Sequence, residues 1–206
     1  MMSAATVTNV KISIKCQPVS LHTVLEIAVK NGYAVKESNN FIILKREFCC
    51  SLFKRKFGNL YNHVNVTKIK SELEIVKILE ELEKIGVFCL SEHLVVDNIT
   101  GQLDTHTKVD IKKLVTGNLQ AVVDKCTNDA AVYVRYNNER FPGAFLKILK
   151  QGRKLGTSIV FHSGKIVFVG CKCAQDLQCL SQLTRAIILP KFWMSLVETT
   201  SAHCVD

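Results

Sequence analysis

Apolar residues recur along this chain with two alternating periods. Val10, Ile12, Ile14 and Cys16 alternate with Lys11, Ser13 and Lys15, which predicts a strand with one buried and one wet face. Behind it, Leu21, Val24, Leu25 and Ala28 form a helical stripe, with Ser20 as its cap and Gly32 at its end. Residues 41–44, 49–53 and 64–67 read as strands, and Phe57-Gly58-Asn59 as a hairpin tip. Ser71 and Glu74 have capping-box spacing, and Ile75, Ile78, Leu79 and Leu82 make an inward stripe that stops at Gly86.

The same order then returns. Residues 94–103 read as a strand, and Ile111, Leu114, Val115, Leu119 and Val122 as a helical stripe weakened by Gly117. Four strands follow at 131–136, 144–149, 158–162 and 165–170, with Ser163-Gly164 as a turn. A last helix carries Leu177, Leu180, Leu183 and Ile187 and ends before Pro190. Single residues echo across the duplication: Asn9-Val10 with Asn98-Ile99, Phe53 with Phe161, and Lys70 with Lys172. The expected fold is α+β: two pseudo-symmetric repeats, at 9–86 and 94–190, joined by a linker at 87–93 and followed by a tail at 191–206. Together they are expected to form one curved antiparallel sheet with four helices on one face. The second face then stays open and calls for a partner or a polar surface.

Charge points to the class of partner. The 206 residues carry a formal net charge of +9, which favours a polyanion, nucleic acid before an anionic membrane. No apolar run of about 18 residues predicts a membrane span, and residues 1–10 lack a signal-peptide pattern. The nine cysteines are odd in number and include no C-x-x-C pair, so they read as free thiols in a reducing compartment, with no metal site or cofactor expected. Asp104 and His106 lie in a polar loop, and no Gly-rich phosphate loop, H-E-x-x-H or G-x-S-x-G is present; an enzyme is not expected.

The second half resembles the TATA-box-binding protein family. Arg140-Phe141-Pro142-Gly143 is similar to that family's Phe-Pro-Gly strand start. The stretch from Ile159 to Val167, with Phe161-His162-Ser163-Gly164-Lys165 at its centre, is similar to its hairpin. Gly170-Cys171-Lys172 resembles its Gly-Ala-Lys exit, and Asp97-Asn98-Ile99 its Asn-Ile strand. The first half resembles it more faintly, at Leu21-His22-Thr23-Val24 and Val66-Thr67, so the resemblance spans about residues 9–190. It implies a saddle with helices on the convex side, gripping duplex DNA from the minor groove. It also implies that Phe141 and Phe161 wedge between base pairs, the mechanism for which this family is the standard case. In the first repeat Phe53 is retained and its wedge partner aligns with Ser38, so a one-sided kink is expected. Asn9 and Asn98 are expected to donate amides to base acceptors. Asn65, Thr67, Thr100, Val167 and Val169 complete the expected DNA-facing set.

Departures from the family pattern are informative. Lys11 and Thr100 stand where the family has valine, and Lys11 and Lys15 share the face of Asn9; relaxed sequence choice and stronger salt dependence are expected. Val169 replaces a threonine. Lys147 replaces a phosphate-contacting arginine, which keeps charge but loses the fork geometry. Arg55, in the run Lys54-Arg55-Lys56, is a further candidate backbone contact. The family's acidic partner loop is altered here to Asn137, Glu139 and Arg140. The expected partners are A·T-rich promoter DNA, transcription-factor-IIB-like and IIA-like proteins and the RNA polymerase machinery, in the nucleus or at a site of viral transcription. The competing expectation is the same fold used only to bind protein or RNA.

Overall fold

The computed structural model describes residues 4–54 and 60–189. In chain order the elements are β1 (Thr6–Ser20), α1 (Leu21–Lys30), β2 (Ala34–Glu37), β3 (Phe41–Lys45), β4 (Cys49–Lys54), β5 (Leu60–Ile69) and α2 (Glu74–Lys84). A 3-10 turn at Ser91–His93 leads to β6 (Val95–Asp104), α3 (Ile111–Thr116), α4 (Leu119–Asp124), β7 (Ala130–Arg135), β8 (Gly143–Lys150), β9 (Arg153–Phe161), β10 (Lys165–Cys171) and α5 (Ala174–Ile188). Two compact units result. Among the described residues, Val7–Ile99 forms the first, and residues 100–189 with residues 4–6 form the second. The hairpin tip at 57–59, Arg55 and the tail at 191–206 lie outside the described residues.

Each unit repeats one plan. The first has strand order β2-β3-β4-β5-β1, and the second β6-β10-β9-β8-β7, with antiparallel pairing throughout the hairpins. Strand alternation sorts the residues. In the first unit Ile12, Ile14, Leu44, Leu52, Val64 and Val66 are fully buried, with Val24 and Ala28 of α1 and Ile78 and Leu82 of α2. In the second, Leu146, Ile148, Val160, Ile166 and Phe168 form the matching layer; α5 packs across β9 and β10, and α4 against β7. The described cysteines are free thiols, and Cys16, Cys50 and Cys171 sit in these cores as small apolar groups. Burial pushes the Cys16 thiol up to about 11 and that of Cys171 to about 12.

Local expectations are met unevenly. Ser20 caps α1, its Oγ accepting from Thr23 N at 3.4 Å. Ser71 does not cap α2 with its side chain. Instead Glu74 Oε2 accepts from Lys70 N at 3.1 Å, and the second unit repeats the device where Asp176 Oδ2 accepts from Lys172 N at 3.3 Å. The single helix expected around 111–122 is two. Gly117 takes an extended ψ of 155°, and Asn118 starts a new helix by accepting from Ala121 N, so five helices are present among the described residues rather than four. The short strand β2 pairs with β3 without having announced itself in the sequence.

Asp176 does more than begin a helix. It is 3 % exposed and takes both Arg153 guanidinium nitrogens, at 3.0 and 2.7 Å. Arg153 holds this carboxyl below the usual carboxylate range, against the opposing effect of burial. A carboxyl depressed in the folded state stabilises it above the unfolded pKa, and that contribution is lost as pH falls through the folded value. Asp176→Ala is therefore expected to lower stability by about 2 kcal/mol at pH 7 in urea denaturation. The gap between variant and parent should close as the pH drops below about 4.

Candidate nucleic-acid interface

The strand residues that do not enter the two cores form an open face on each unit. On the second unit two cross-strand rows follow from the register. One is Arg135–Phe145–Ile159–Val167, and the other is Tyr133–Lys147–Thr157–Val169. Beside them Gly143 lies opposite Phe161. The Phe141 ring leans over Gly143: a Cβ there would fall 2.8 Å from Phe141 Cε1 and 2.9 Å from Ile159 Cγ2. The missing side chain lets the Phe141 and Phe161 rings meet with centroids 5.7 Å apart, and Phe141 is 37 % exposed. Phe145 adds a third ring 5.2 Å from Phe141. The hairpin carrying Phe161 is clamped from below. Val109 N donates to His162 O, and a Cβ on Gly164, whose φ is 90°, would strike Thr107 O, so this turn admits glycine alone.

Lys147 crosses from this apolar floor to the edge strand. Its Nζ lies 5.9 Å from the Tyr133 ring centroid, a cation–π contact that steers the ammonium toward the rim. Phe141 is aimed by the loop before it. Asn137 Oδ1 accepts from Glu139 N at 3.1 Å, and Asn137 O accepts from Phe141 N at 3.0 Å. Asn137, Glu139 and Arg140 are all exposed around that turn.

The open face of the first unit is built on the same register with different chemistry. Phe41 and Phe53 are directly opposed, with ring centroids 5.7 Å apart and His63 6.1 Å beyond Phe53. Ser38 is occupied elsewhere, its N–H donating to Phe41 O to close the β2–β3 hairpin. Thr67 faces Cys49, and Asn65 lies between Ser51 and Ser13. Asn9 Oδ1 accepts from Lys68 N at 2.7 Å, at a bulge where Lys68 adopts a φ of 67°. With its oxygen held there, the Asn9 amide has its NH2 left as the donor. Lys11 Nζ lies 3.4 Å from Asp97 Oδ2, and Asp97 Oδ1 accepts from Ser13 Oγ at 3.0 Å. Lys15, opposite His63, is exposed.

Residues 93–189 match the model of the family described as "Transcription factor TFIID (or TATA-binding protein, TBP)". Over these residues the chain carries a domain of the TATA-binding-protein family. Among solved structures it is similar to Methanococcus jannaschii TBP, with a TM-score of 0.56 and 19 % identity, covering 90 % of this chain and 98 % of that one. That likeness shows the TBP fold over both repeats, as the duplicated pattern implies. The regulatory subunit of aspartate kinase from Thermus thermophilus aligns at a TM-score of 0.27 and 12 % identity, over 90 % of this chain and 97 % of its own. No curated protein matches by sequence.

The open faces collect most of the expected residues. Phe141, Phe161, Lys147, Val167 and Val169 come together on the second unit, with Thr100 half-exposed on β6. Asn9, Lys11, Lys15, Phe53, Asn65 and Thr67 come together on the first, with half-exposed Asn98 on its stretch of β6. Two readings change. The aromatic beside Phe53 is Phe41, which takes the register place of Gly143, so the first unit carries a pair of rings and not one ring facing Ser38. Lys11, expected to reach phosphates, is ion-paired with Asp97. Neither is written in the local sequence: the first depends on register and the second on residues 86 positions apart.

Salt-titrated DNA binding separates these lysines. Lys15→Ala and Lys147→Ala should each lower the slope of log affinity against log salt by about 0.9. Lys11→Ala should change it less, and Asp97→Asn should tighten binding, because a carboxylate leaves the interface. Equal slopes for all three lysine variants would contradict this assignment.

Proposed function

We propose that this chain binds A·T-rich promoter duplex from the minor groove, bends it, and presents the bent DNA to IIB-like and IIA-like factors and the polymerase machinery, in the nucleus or at a site of viral transcription. The observation that carries the reading is the Phe141–Phe161 pair over Gly143, beside the apolar floor of Phe145, Ile159, Val167 and Val169. Such a floor excludes water from the edges of A·T pairs, and two adjoining rings fill a base step that has been pried open. Unstacking is unfavourable, and is offset by the wider contact that bent DNA makes. Asn9, with its oxygen engaged by Lys68, supplies an N–H donor suited to the adenine N3 and thymine O2 acceptors. The family match over residues 93–189 supports the transcriptional role in general terms.

Wedging in this reading is two-sided. Phe41 and Phe53 approach each other as closely as Phe141 and Phe161 do, so each unit has a pair to insert. The loop at Asn137, Glu139 and Arg140 is the proposed partner contact. Its Asn137 also shapes the turn that aims Phe141, so Asn137→Asp is the substitution that changes charge while keeping the turn's acceptor.

Bending is measured by energy transfer between dyes at the two ends of a short duplex. Phe161→Ala and Phe141→Ala should each reduce the transfer gained on saturation, and Phe41→Ala and Phe53→Ala should reduce it to a similar extent. Unchanged transfer with the parent protein at saturating binding would remove the wedge mechanism. Loss confined to Phe141 and Phe161 would leave the second unit as the single kinking half.

A further inference from the structure

The two open faces differ most at one register row. On the second unit that row is Arg135–Phe145–Ile159–Val167, apolar after the arginine on the edge strand. On the first it is Lys36–Ile43–Ser51–Asn65–Ser13, where Ser51 and Asn65 take the places of Ile159 and Val167. Ser13 is already engaged by Asp97. Asn65 is not: its Oδ1 is buried without a hydrogen-bond partner among the described residues. An acceptor left in that condition is unfavourable, and native structures seldom retain one without a use. The β5 strand gives no local reason for an asparagine, a poor strand former, between Val64 and Val66.

We propose that Asn65 is a specificity-determining residue that accepts the guanine 2-amino group, so that the first unit takes a G·C pair where the second takes only A·T. This rests on the minor-groove reading above. Adenine N3 and thymine O2 are acceptors, and the one donor a base pair presents in that groove is the N2 amino group of guanine. Val167 and Ile159 offer that donor nothing and strip it of water, which disfavours G·C on the second unit. Oδ1 is enclosed in the resting orientation, and a half-turn of the Asn65 amide brings it to the face as the missing acceptor, whereas the unturned amide leaves the NH2 for an A·T pair. The chain thereby reads an asymmetric site, and the asymmetry sets the direction in which it lies on DNA.

The test is a competition assay in which a bound A·T-rich duplex is converted to G·C one pair at a time, and each G·C is then compared with inosine·C, which lacks the 2-amino group. With the parent protein, at least one position in one half-site should accept G·C within about threefold of A·T, and inosine there should weaken binding. In the other half-site G·C should cost about tenfold or more and inosine should restore binding, matching the usual cost of one wrong pair. Asn65→Val, a residue suited to a strand interior, should bring the tolerated position to the same tenfold penalty and abolish the loss on inosine. A G·C penalty spread evenly over both half-sites in the parent protein, or tolerance that survives Asn65→Val, overturns the proposal while leaving minor-groove binding intact. Failure to bind any duplex at low salt overturns the minor-groove reading itself.

Discussion

A sheet covered by helices on one side has a second side to account for, and in this chain that constraint organises everything else. Each strand alternates, so the residues that build a core also fix which residues are left over. Val10, Ile12 and Ile14 cannot be buried without turning Asn9, Lys11, Ser13 and Lys15 outward. Burying Ala144, Leu146 and Ile148 likewise turns Phe145 and Lys147 outward. A one-residue slip would exchange the two sets, so the hydrophobic core and the open face are specified together.

What the two units place on their open faces is unequal. The second is apolar and aromatic, with a single glycine making room for the ring pair. The first holds an asparagine, two serines and a lysine–aspartate pair on an equivalent frame, and reaches its ring pair by another register. Duplication thus preserved the device of two adjoining rings while the floor beside them diverged. The helix entries tell the same history: Glu74 and Asp176 each accept the backbone N–H four residues earlier, although only Asp176 also binds an arginine.

Much of this was legible in the sequence, because periodicity is a local signal. The strands with strict alternation, the Ser20 cap and the repeated order could all be read directly. Phe141 and Phe161 could be read because glycines and a proline mark their turns. Phe41 was missed as the partner of Phe53 because aligning motifs counts residues from the family's Phe-Pro-Gly, whereas pairing depends on how the β2–β3 hairpin closes, and Ser38 is used in closing it. The pairing of Lys11 with Asp97 leaves no local signal, because Asp97, though adjacent in space, is remote in sequence. Gly117 was seen as a weak point but not as a break, a choice settled by Asn118 capping a second helix. The unpaired oxygen of Asn65 has no sequence signal at all; only the positions of its neighbours expose it.

The central claim is that the open faces meet DNA in the minor groove. Replacing every A·T pair of a bound duplex with inosine·C exchanges the major-groove pattern and keeps the minor-groove acceptors without adding the guanine amino group. The account predicts affinity within about threefold of the A·T duplex and equal bending. A loss of binding on the inosine duplex comparable to that on a G·C duplex would contradict it.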